Sequence, residues 1–242
     1  MEKIINKILS LLNLKLVRVS KSASKQSTML GAMVRYFEKG LVPKTIIDVG
    51  AAEGNWTLDA MKFWPTSNYL LFEPLEERKK QLKKMGDTYS NVKYVQAGAG
   101  KEKGEVEFYV TNDLDGSGIA DNGTNAKKII IPITTIDAEV DHLKLDGPFL
   151  VKLDTHGFEV PILEGAEKTL SKTKLVIIEC YGLRIAPNSL LFWEMCEYME
   201  KKGFKLLEFV DNVLREKDNA FWQCDAFFIP ANDPIFSSNT YH

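Results

Sequence analysis

The chain has 242 residues, of which 45% are hydrophobic and 26% are charged, and this composition is typical of a globular protein with one core. Its formal net charge of −2 gives no general signature of nucleic-acid binding, so we expect no nucleic-acid partner. The three cysteines, Cys180, Cys196 and Cys224, are too few and too scattered for a disulfide framework or a CxxC metal site, and we expect reduced thiols in a cytoplasmic protein.

The N-terminal segment "EKIINKILSLLNLKLVRVSKSASKQS" places apolar residues near helical spacing with lysines between them. The pattern predicts an amphipathic helix within an N-terminal extension of residues 1–43. Lys15 and Arg18 interrupt the apolar run and no small-residue cleavage site follows it, which argues against a signal peptide. Two interpretations stay open: the helix packs on the domain or on a second subunit of a homo-oligomer, or it makes weak contact with a membrane surface.

From residue 44 to residue 242 we predict one compact domain, because short apolar runs alternate with longer amphipathic ones. "TIIDVG" predicts a strand, "NWTLDAMKFW" a helix stopped by Pro65, and "NYLLFEP" a second strand. "LEERKKQLKKMG" then predicts a charged helix closed by Gly86, and "NVKYVQAG" a third strand. This order indicates a parallel sheet covered by helices on both faces.

The middle of the chain departs from this alternation of strands and helices. "GEVEFYVT" and "KKIIIPITTID" predict a two-stranded insertion, joined by a loop rich in glycine and asparagine. Asp113, Asp115 and Asp121 of this loop match no spaced calcium-binding pattern, so we predict no metal site.

The alternation of strand and helix then returns. "PFLVKLDTHG" predicts a strand, "EVPILEGAEKTLSKT" a helix, "KLVIIECYG" a strand and "SLLFWEMCEYMEKKG" a long helix. "FKLLEFV" and "CDAFFIP" predict the closing strands.

The turn after the first predicted strand indicates a ligand site, because ligands bind beyond the carboxyl ends of the strands in an open parallel sheet. Gly50 allows a sharp turn there, and Gly54 permits close packing of the following helix. Asp48 occupies the place of the first glycine in the GxGxxG dinucleotide fingerprint. A carboxylate at this place would repel a pyrophosphate and suits a positively charged ligand, which favours S-adenosylmethionine.

Glu73 ends the second predicted strand, about 20 positions after the glycine turn, where an acidic side chain is placed to bind both ribose hydroxyls. We expect the adenine to lie after the third strand, where small residues leave room for a flat ring. The predicted cofactor site therefore also includes Ala51, Asn55, Pro74, Gln96, Ala97 and Gly98.

The segments "IIDVGAAEGNWT", "LLFEP", "IPITTID" and "LVKLDTHGFEVPILEGAEKTL", in this order, resemble the FkbM family of S-adenosylmethionine-dependent methyltransferases over about residues 45–179. The resemblance implies a three-layer, Rossmann-like class I methyltransferase fold, whose sheet has seven strands with the last one antiparallel. It also implies methyl transfer to a hydroxyl oxygen of a small molecule or a sugar, for example a surface-glycan precursor.

Asp154 and His156 are the predicted catalytic residues. Asp154 ends a strand where its carboxylate meets the methyl-bearing end of the cofactor or the acceptor; alternatively it is a turn residue that accepts hydrogen bonds from the amides of His156 and Gly157. His156 is a candidate general base, because an imidazole titrates near neutral pH. The family more often carries Gln or Glu there, and a binding contact or an inert loop histidine are the alternatives. A structural role for Glu159 is at least as well supported as a catalytic one.

Acceptor-binding candidates are Ser117 in the insertion loop, Glu179 at the end of a strand, and Tyr181 and Arg184 just beyond it. Tyr181 and Arg184 could equally be ordinary loop residues. Two other functions stay open at this point: a non-catalytic nucleoside-binding scaffold, and a nicotinamide-dependent oxidoreductase, which Asp48 disfavours.

Overall fold

A computed structural model describes residues 25–119 and 126–241. The N-terminal segment up to residue 24 and Asp121 lie outside these ranges. In chain order the described helices and strands are α1 (Met29–Glu38), β1 (Thr45–Val49), α2 (Asn55–Ala60), β2 (Asn68–Phe72), α3 (Glu76–Thr88), β3 (Val92–Val95), β4 (Gly98–Ala99), β5 (Gly104–Val110), β6 (Lys127–Thr134), α4 (Ile136–Leu143), β7 (Phe149–Leu153), α5 (Glu159–Glu164), α6 (Glu167–Leu170), β8 (Thr173–Tyr181), α7 (Phe192–Lys201), β9 (Phe204–Leu214) and β10 (Phe221–Pro230).

The main sheet has seven strands in the order β3-β2-β1-β7-β8-β10-β9. The pairs β1–β2, β2–β3, β1–β7 and β7–β8 are parallel, whereas β10 runs antiparallel to both of its neighbours. The predicted fold, with a mostly parallel seven-stranded sheet and an antiparallel last strand, is confirmed. The strand order reverses between β1 and β7, so the crevice where such sheets bind ligands lies between these two strands.

The sheet is covered on both faces, as the continuous apolar runs of its central strands require. Every residue of β1 and of β7 is buried. One core, which includes Phe149 and Leu163, fills one side of the sheet, and a second core, which includes Tyr69 and Phe227, fills the other. Helix α1 joins the second core, where the ring of Tyr36 stacks on that of Phe227 at a centroid distance of 5.5 Å.

A second, three-stranded sheet has the order β4-β6-β5. Strands β5 and β6 pair antiparallel, which agrees with the predicted two-stranded insertion, and β4 pairs with β6 in parallel. The single strand predicted for "NVKYVQAG" is therefore wrong, because this segment forms β3 of the main sheet and β4 of the second one. Below, "the insertion" denotes β5, β6 and the described residues between them.

Two predicted helix boundaries are also wrong. Helix α3 continues past Gly86 to Thr88, because Gly86 does not take the left-handed conformation by which a glycine ends a helix. The helix predicted after His156 divides into α5 and α6 at Gly165. A Cβ added at Gly165 would lie 1.9 Å from the carbonyl oxygen of Gly100, so the two backbone segments approach closely at the point where the helix divides. None of the helices within the described ranges is long and apolar enough to cross a membrane.

Candidate functional site

A cavity of about 740 Å³ lies at the carboxyl ends of the strands on both sides of the reversal in strand order, with the insertion along one side. This volume is in the range of small-molecule sites. Of the residues predicted from sequence, those that line the cavity are Gly50, Glu73, Pro74, Gly98, Ser117, Asp154, His156, Glu179, Tyr181 and Arg184. The lining residues that sequence reasoning did not predict include Arg78, Asp115, Phe158, Ile185, Trp222 and Gln223.

The turn after β1 depends on two glycines, in the way the sequence indicated. Gly50 has φ +76°, and a Cβ there would lie 1.9 Å from the carbonyl oxygen of Asp154. This backbone approach brings the end of β1 against the end of β7. Gly54 has φ +79°, and a Cβ there would lie 2.4 Å from Cε of Met85, so Gly54 lets the start of α2 pack closely on α3.

The expected contact between Asp48 and a positively charged ligand is wrong in its geometry. Asp48 is fully buried and does not line the cavity. Its Oδ2 accepts a hydrogen bond from the Thr57 hydroxyl at 2.7 Å, and its Oδ1 lies 3.6 Å from Nζ of Lys152. Asp48 and Lys152 are register partners on the adjacent strands β1 and β7, and side chains at paired positions point to the same face of a sheet. Burial raises the pKa of Asp48, although Lys152 acts in the opposite direction.

Lys152 connects Asp48 with the cavity. Its ammonium group donates a hydrogen bond to Oδ2 of Asp154 at 3.1 Å and lies 5.6 Å from the ring centroid of Trp56. Burial alone would lower the pKa of Lys152, but the carboxylates of Asp154 and Asp48 outweigh burial and raise it. Lys152 is therefore a buried, charged residue that orients the carboxylate of Asp154, and no motif in the sequence pointed to it.

Glu73 lies at the cavity with both of its oxygens fixed by the backbone. Oε2 accepts a hydrogen bond from the amide of Ala52, and Oε1 accepts one from the amide of Leu75, each at 3.0 Å. Burial raises the pKa of Glu73, while these two amides act to lower it. Each carboxylate oxygen has a second lone pair, so the fixed side chain can still accept hydrogen bonds from a pair of hydroxyls.

Besides Asp48, five of the predicted cofactor residues do not line the cavity, and Gly54, which packs on α3, is one of them. Ala51 and Ala97 are buried and do not line the cavity, and Asn55 begins α2 outside the lining. Gln96 does not line the cavity either, because its side-chain amide is hydrogen-bonded to the exposed Glu76. On this side of the cavity the lining consists of small and apolar residues, among them Gly98, Ala99 and Phe158.

Asp154, His156 and Glu179 come together at the other end of the cavity, at the ends of β7 and β8. Nε2 of His156 lies 3.4 Å from Oδ1 of Asp154 and 3.5 Å from Oε2 of Glu179. Nδ1 of His156 lies 3.0 Å from the carbonyl oxygen of Ser117, which links the insertion to this end of the cavity. Below, these three residues are called the acceptor-end triad.

The three residues of the triad shift one another's pKa values because their side chains lie so close together. Burial alone would lower the pKa of His156, but Asp154 and Glu179 raise it to about 9. Burial and the charge of Asp154 raise the pKa of Glu179 to about 8. Burial opposes ionisation of Asp154, yet Lys152 and His156 hold its pKa below the usual range.

The turn that follows β7 is stabilised by Glu159 and not by Asp154. Oε1 of Glu159 accepts hydrogen bonds from the amide of Gly157 at 2.9 Å and from the hydroxyl of Thr155 at 3.1 Å. Asp154 instead pairs with Lys152 and His156. The turn-forming interpretation of Asp154 is therefore wrong, and the buried Glu159 has the structural role that was its alternative.

The acceptor-binding candidates differ in how far their polar groups are already engaged. The carboxylate of Glu179 accepts hydrogen bonds from the hydroxyl of Tyr181 and from the side-chain amide of Gln223. The guanidinium of Arg184 donates to the carbonyl oxygen of Ser189 and to Glu194, each at 2.6 Å. Arg184 thus stabilises its own loop, although part of its side chain lines the cavity.

Comparisons with known proteins agree on family and fold. A family model described as "Methyltransferase FkbM domain" matches residues 48–206. The solved structure of methyltransferase FkbM from Methylobacillus flagellatus KT is 16% identical with a TM-score of 0.50, and the match covers 93% of this chain and 60% of that one. The chain therefore spans about three fifths of the length of that protein. No curated protein matches the chain.

Two further solved structures are similar. The precorrin-6y C5,15-methyltransferase from Geobacter metallireducens GS-15 is 13% identical with a TM-score of 0.47, over 87% of this chain and 92% of that one. The 1,6-didemethyltoxoflavin-N1-methyltransferase from Burkholderia thailandensis, solved with bound 1,6-didemethyltoxoflavin and S-adenosylhomocysteine, is 10% identical with a TM-score of 0.47, over 88% of this chain and 82% of that one.

Proposed function

Because the chain belongs to the FkbM methyltransferase family, we propose that it transfers a methyl group from S-adenosylmethionine to a hydroxyl group of a small molecule or a sugar. The observation that carries the proposal is that one cavity has different polar groups at its two ends. A backbone-fixed carboxylate, Glu73, lies at one end, and the acceptor-end triad lies at the other.

The residues at the first end fit the cofactor. Glu73 can accept hydrogen bonds from two ribose hydroxyls, and the lining near Gly98 and Phe158 leaves room for an apolar, flat ring. Gly50 and Ala52 bring the backbone of the first turn to the cavity wall, where the methionine portion would lie. When bound, S-adenosylmethionine supplies an electrophilic methyl group on a positively charged sulfur.

The residues at the second end would align the acceptor. Methyl transfer is an in-line displacement, and a large part of its acceleration comes from holding the attacking oxygen about 3 Å from the carbon. Asp154, which Lys152 and His156 keep ionised, provides negative charge beside the positively charged donor. The attacking hydroxyl must also lose its proton, and in the proposed arrangement the acceptor-end triad would lie beside this hydroxyl.

The charges around the triad favour an acceptor that is uncharged near its reacting hydroxyl. Two arginines line the described cavity, and both are already engaged: Arg78 pairs with Glu53 and Asp115, and Arg184 pairs with Glu194. An anionic group near the triad would therefore be repelled by the ionised carboxylate of Asp154 and would find no free arginine, since the positive charges of Lys152 and His156 are already paired with Asp154. A neutral sugar or another polyol avoids this repulsion.

Two measurements test the proposal. Isothermal titration calorimetry with S-adenosylhomocysteine should give one site per chain, with much weaker binding for Glu73→Ala. Incubation with methyl-labelled S-adenosylmethionine and a panel of neutral and acidic sugars and polyols should transfer label to a neutral compound. Failure to bind S-adenosylhomocysteine contradicts the proposed cofactor, and tight binding without transfer to any acceptor favours a scaffold.

A further inference from the structure

We propose that Asp154, His156 and Glu179 bind a divalent metal ion at the acceptor end of the cavity. The ion would bind the acceptor through two neighbouring oxygens, one of which is methylated. The role of the ion rests on the proposed function, whereas its binding can be measured without methyl transfer. The sequence pattern predicts no metal site, and the only metal-ligand candidates discussed above are the aspartates of the insertion loop. Among these, Asp113 is hydrogen-bonded to Thr111 and Gly116, and Asp115 pairs with Arg78.

The distances within the acceptor-end triad suit a shared metal ion. One ligand atom from each residue can be chosen so that all three lie within 4.8 Å of one another. Two ligands that each lie about 2.1 Å from an ion are about 3.0 Å apart at adjacent octahedral positions and about 3.4 Å apart in a tetrahedron. The separations of 3.4 Å and 3.5 Å from Nε2 of His156 to the two carboxylate oxygens are close to these values.

The same distances are long for hydrogen bonds. An N–H group and its oxygen acceptor are usually about 2.7–3.2 Å apart, so neither carboxylate lies at the usual distance from Nε2. Nδ1 of His156 is better placed, 3.0 Å from the carbonyl oxygen of Ser117. If Nδ1 carries the proton, the neutral imidazole directs the lone pair of Nε2 towards two carboxylate oxygens. These three electron-rich atoms repel each other unless a metal ion or a proton on Nε2 lies between them.

Each member of the triad is oriented by a partner outside the triad, as is common for metal ligands. The carbonyl oxygen of Ser117 would fix the tautomer of His156. Lys152 donates to Oδ2 of Asp154 and leaves Oδ1 directed at His156. Gln223 donates to Oε1 of Glu179 and leaves Oε2 near His156, although Oε2 also accepts a hydrogen bond from Tyr181.

The charges around the site favour a cation, but only moderately. Two carboxylates face the site, while the ammonium group of Lys152 lies 3.1 Å from Asp154 and opposes a second cation. Imidazole together with two carboxylates is a ligand set that suits Mn²⁺ and Zn²⁺ better than Ca²⁺. Three protein ligands also leave coordination positions open for oxygens of the acceptor.

In this mechanism His156 is a metal ligand, which replaces the general-base role predicted from sequence. A hydroxyl that binds a divalent cation loses its proton more easily, and the proton passes to solvent. The oxygen then forms its bond to the methyl carbon, the carbon–sulfur bond breaks, and its electron pair stays on the sulfur. Because a second, neighbouring oxygen of the acceptor would occupy a further open coordination position, the acceptor would be a vicinal diol, as in a sugar.

The test measures metal binding directly. The protein is freed of metal with a chelator and titrated with MnCl₂, while electron paramagnetic resonance reports the free ion; ZnCl₂ and MgCl₂ are titrated by calorimetry. We expect one Mn²⁺ or Zn²⁺ per chain, and at least tenfold weaker binding for His156→Ala and for Glu179→Gln. His142→Ala, which removes an exposed histidine outside the cavity, should bind as the unmodified chain does. Circular dichroism and thermal unfolding confirm that each variant is folded, and the second triad variant keeps the test valid if the first does not fold.

Two results would overturn the site: no stoichiometric binding of any of these ions, or binding that neither triad substitution weakens. If methyl transfer is found and a chelator leaves its rate unchanged, the catalytic role of the ion is wrong although the proposed function stands. If the ion binds as expected but no acceptor is methylated, the metal site stands and the proposed function fails.

Discussion

Lys152 and Asp48 face each other in the interior as register partners on neighbouring parallel strands, with Nζ 3.6 Å from Oδ1. Both side chains are almost completely buried. We expect Lys152→Met to lower the free energy of unfolding by about 3–5 kcal/mol, because removal of one partner leaves a buried charge uncompensated. Denaturant unfolding of the purified variant measures this loss.

Lys93→Met is the matched control, since Lys93 is an exposed lysine on β3. The double variant Asp48→Asn/Lys152→Met should recover part of the stability lost in Lys152→Met, as it removes the unpaired carboxylate together with its partner. A loss for Lys152→Met no larger than that for Lys93→Met would show that the ammonium group does not stabilise the strand ends.

Gly50 and Gly40 allow backbone strain to be separated from steric conflict. Both have positive φ, +76° and +82°, but a Cβ at Gly50 would lie 1.9 Å from the carbonyl oxygen of Asp154, whereas a Cβ at Gly40 would have no atom within 4 Å. Alanine at either position requires the left-handed conformation, at a cost of about 1–2 kcal/mol. We expect Gly50→Ala to be clearly the more destabilised in thermal unfolding, and to lose S-adenosylhomocysteine binding. Equal losses in the two variants would mean that the ends of β1 and β7 can separate without cost.

These residues show how much of the site the sequence could predict. The positive φ of Gly50 and Gly54 is a local property of the turn, and sequence patterns report local properties well. The direction of Asp48 depends on the register between β1 and β7, two strands that lie far apart in the chain. No local pattern encodes this register, so the sequence located Asp48 correctly on its strand but assigned its carboxylate to the wrong surroundings.

Only some of the residues at the acceptor end could be predicted from the sequence. Asp154 and Glu179 each end a strand, and strand ends of a parallel sheet converge at one edge, so their proximity followed from the predicted fold. Trp222 and Gln223 were missed, because they lie at the start of the antiparallel strand β10, where the chain enters the sheet from the opposite direction. The two-sheet division of residues 92–99 was missed because the apolar pattern continues across it.

Glu73 should make cofactor binding dependent on pH. Burial raises its pKa above the ordinary value of 4.5, so on acidification the carboxylate is protonated at a higher pH than a free glutamate would be. Affinity for S-adenosylhomocysteine should therefore fall as the pH decreases through this raised value, and be fully present above it. Calorimetry over a series of pH values measures the effect.

Glu73→Gln should bind S-adenosylhomocysteine about 10- to 100-fold more weakly at neutral pH, since a hydrogen bond to a charged group contributes about 1.5–3 kcal/mol. Its remaining affinity should not change as the pH is lowered over the same range. Glu77→Gln, an exposed neighbour on α3, should behave as the unmodified chain. If Glu73→Gln kept the pH dependence of the unmodified chain, the titrating group would be another residue, and the proposed contact of Glu73 with the ribose would be wrong.

Arg78 connects the insertion to the cofactor side of the cavity. Its guanidinium pairs with Glu53, in the turn after β1, and with Asp115, in the insertion, while its own side chain is only 9% exposed. Arg78→Met removes both pairs. Because Glu53 and Asp115 are exposed by 45% and 77%, each pair contributes little to global stability, about 0–1 kcal/mol. We expect the main effect to be local: faster hydrogen exchange in residues 111–119, measured by mass spectrometry.

Lys79→Met is the control for Arg78→Met, because Lys79 pairs with Glu76 at 3.0 Å within the same helix and does not line the cavity. Its exchange in residues 111–119 should equal that of the unmodified chain. Two other contacts also hold this segment: the backbone hydrogen bonds between Tyr109 and Gly118, at 2.8 Å and 3.1 Å, and the contact of Ser117 with His156. If Arg78→Met leaves the exchange unchanged, these contacts alone fix the insertion against the cavity. The insertion would then be positioned from the acceptor end and not from the cofactor end.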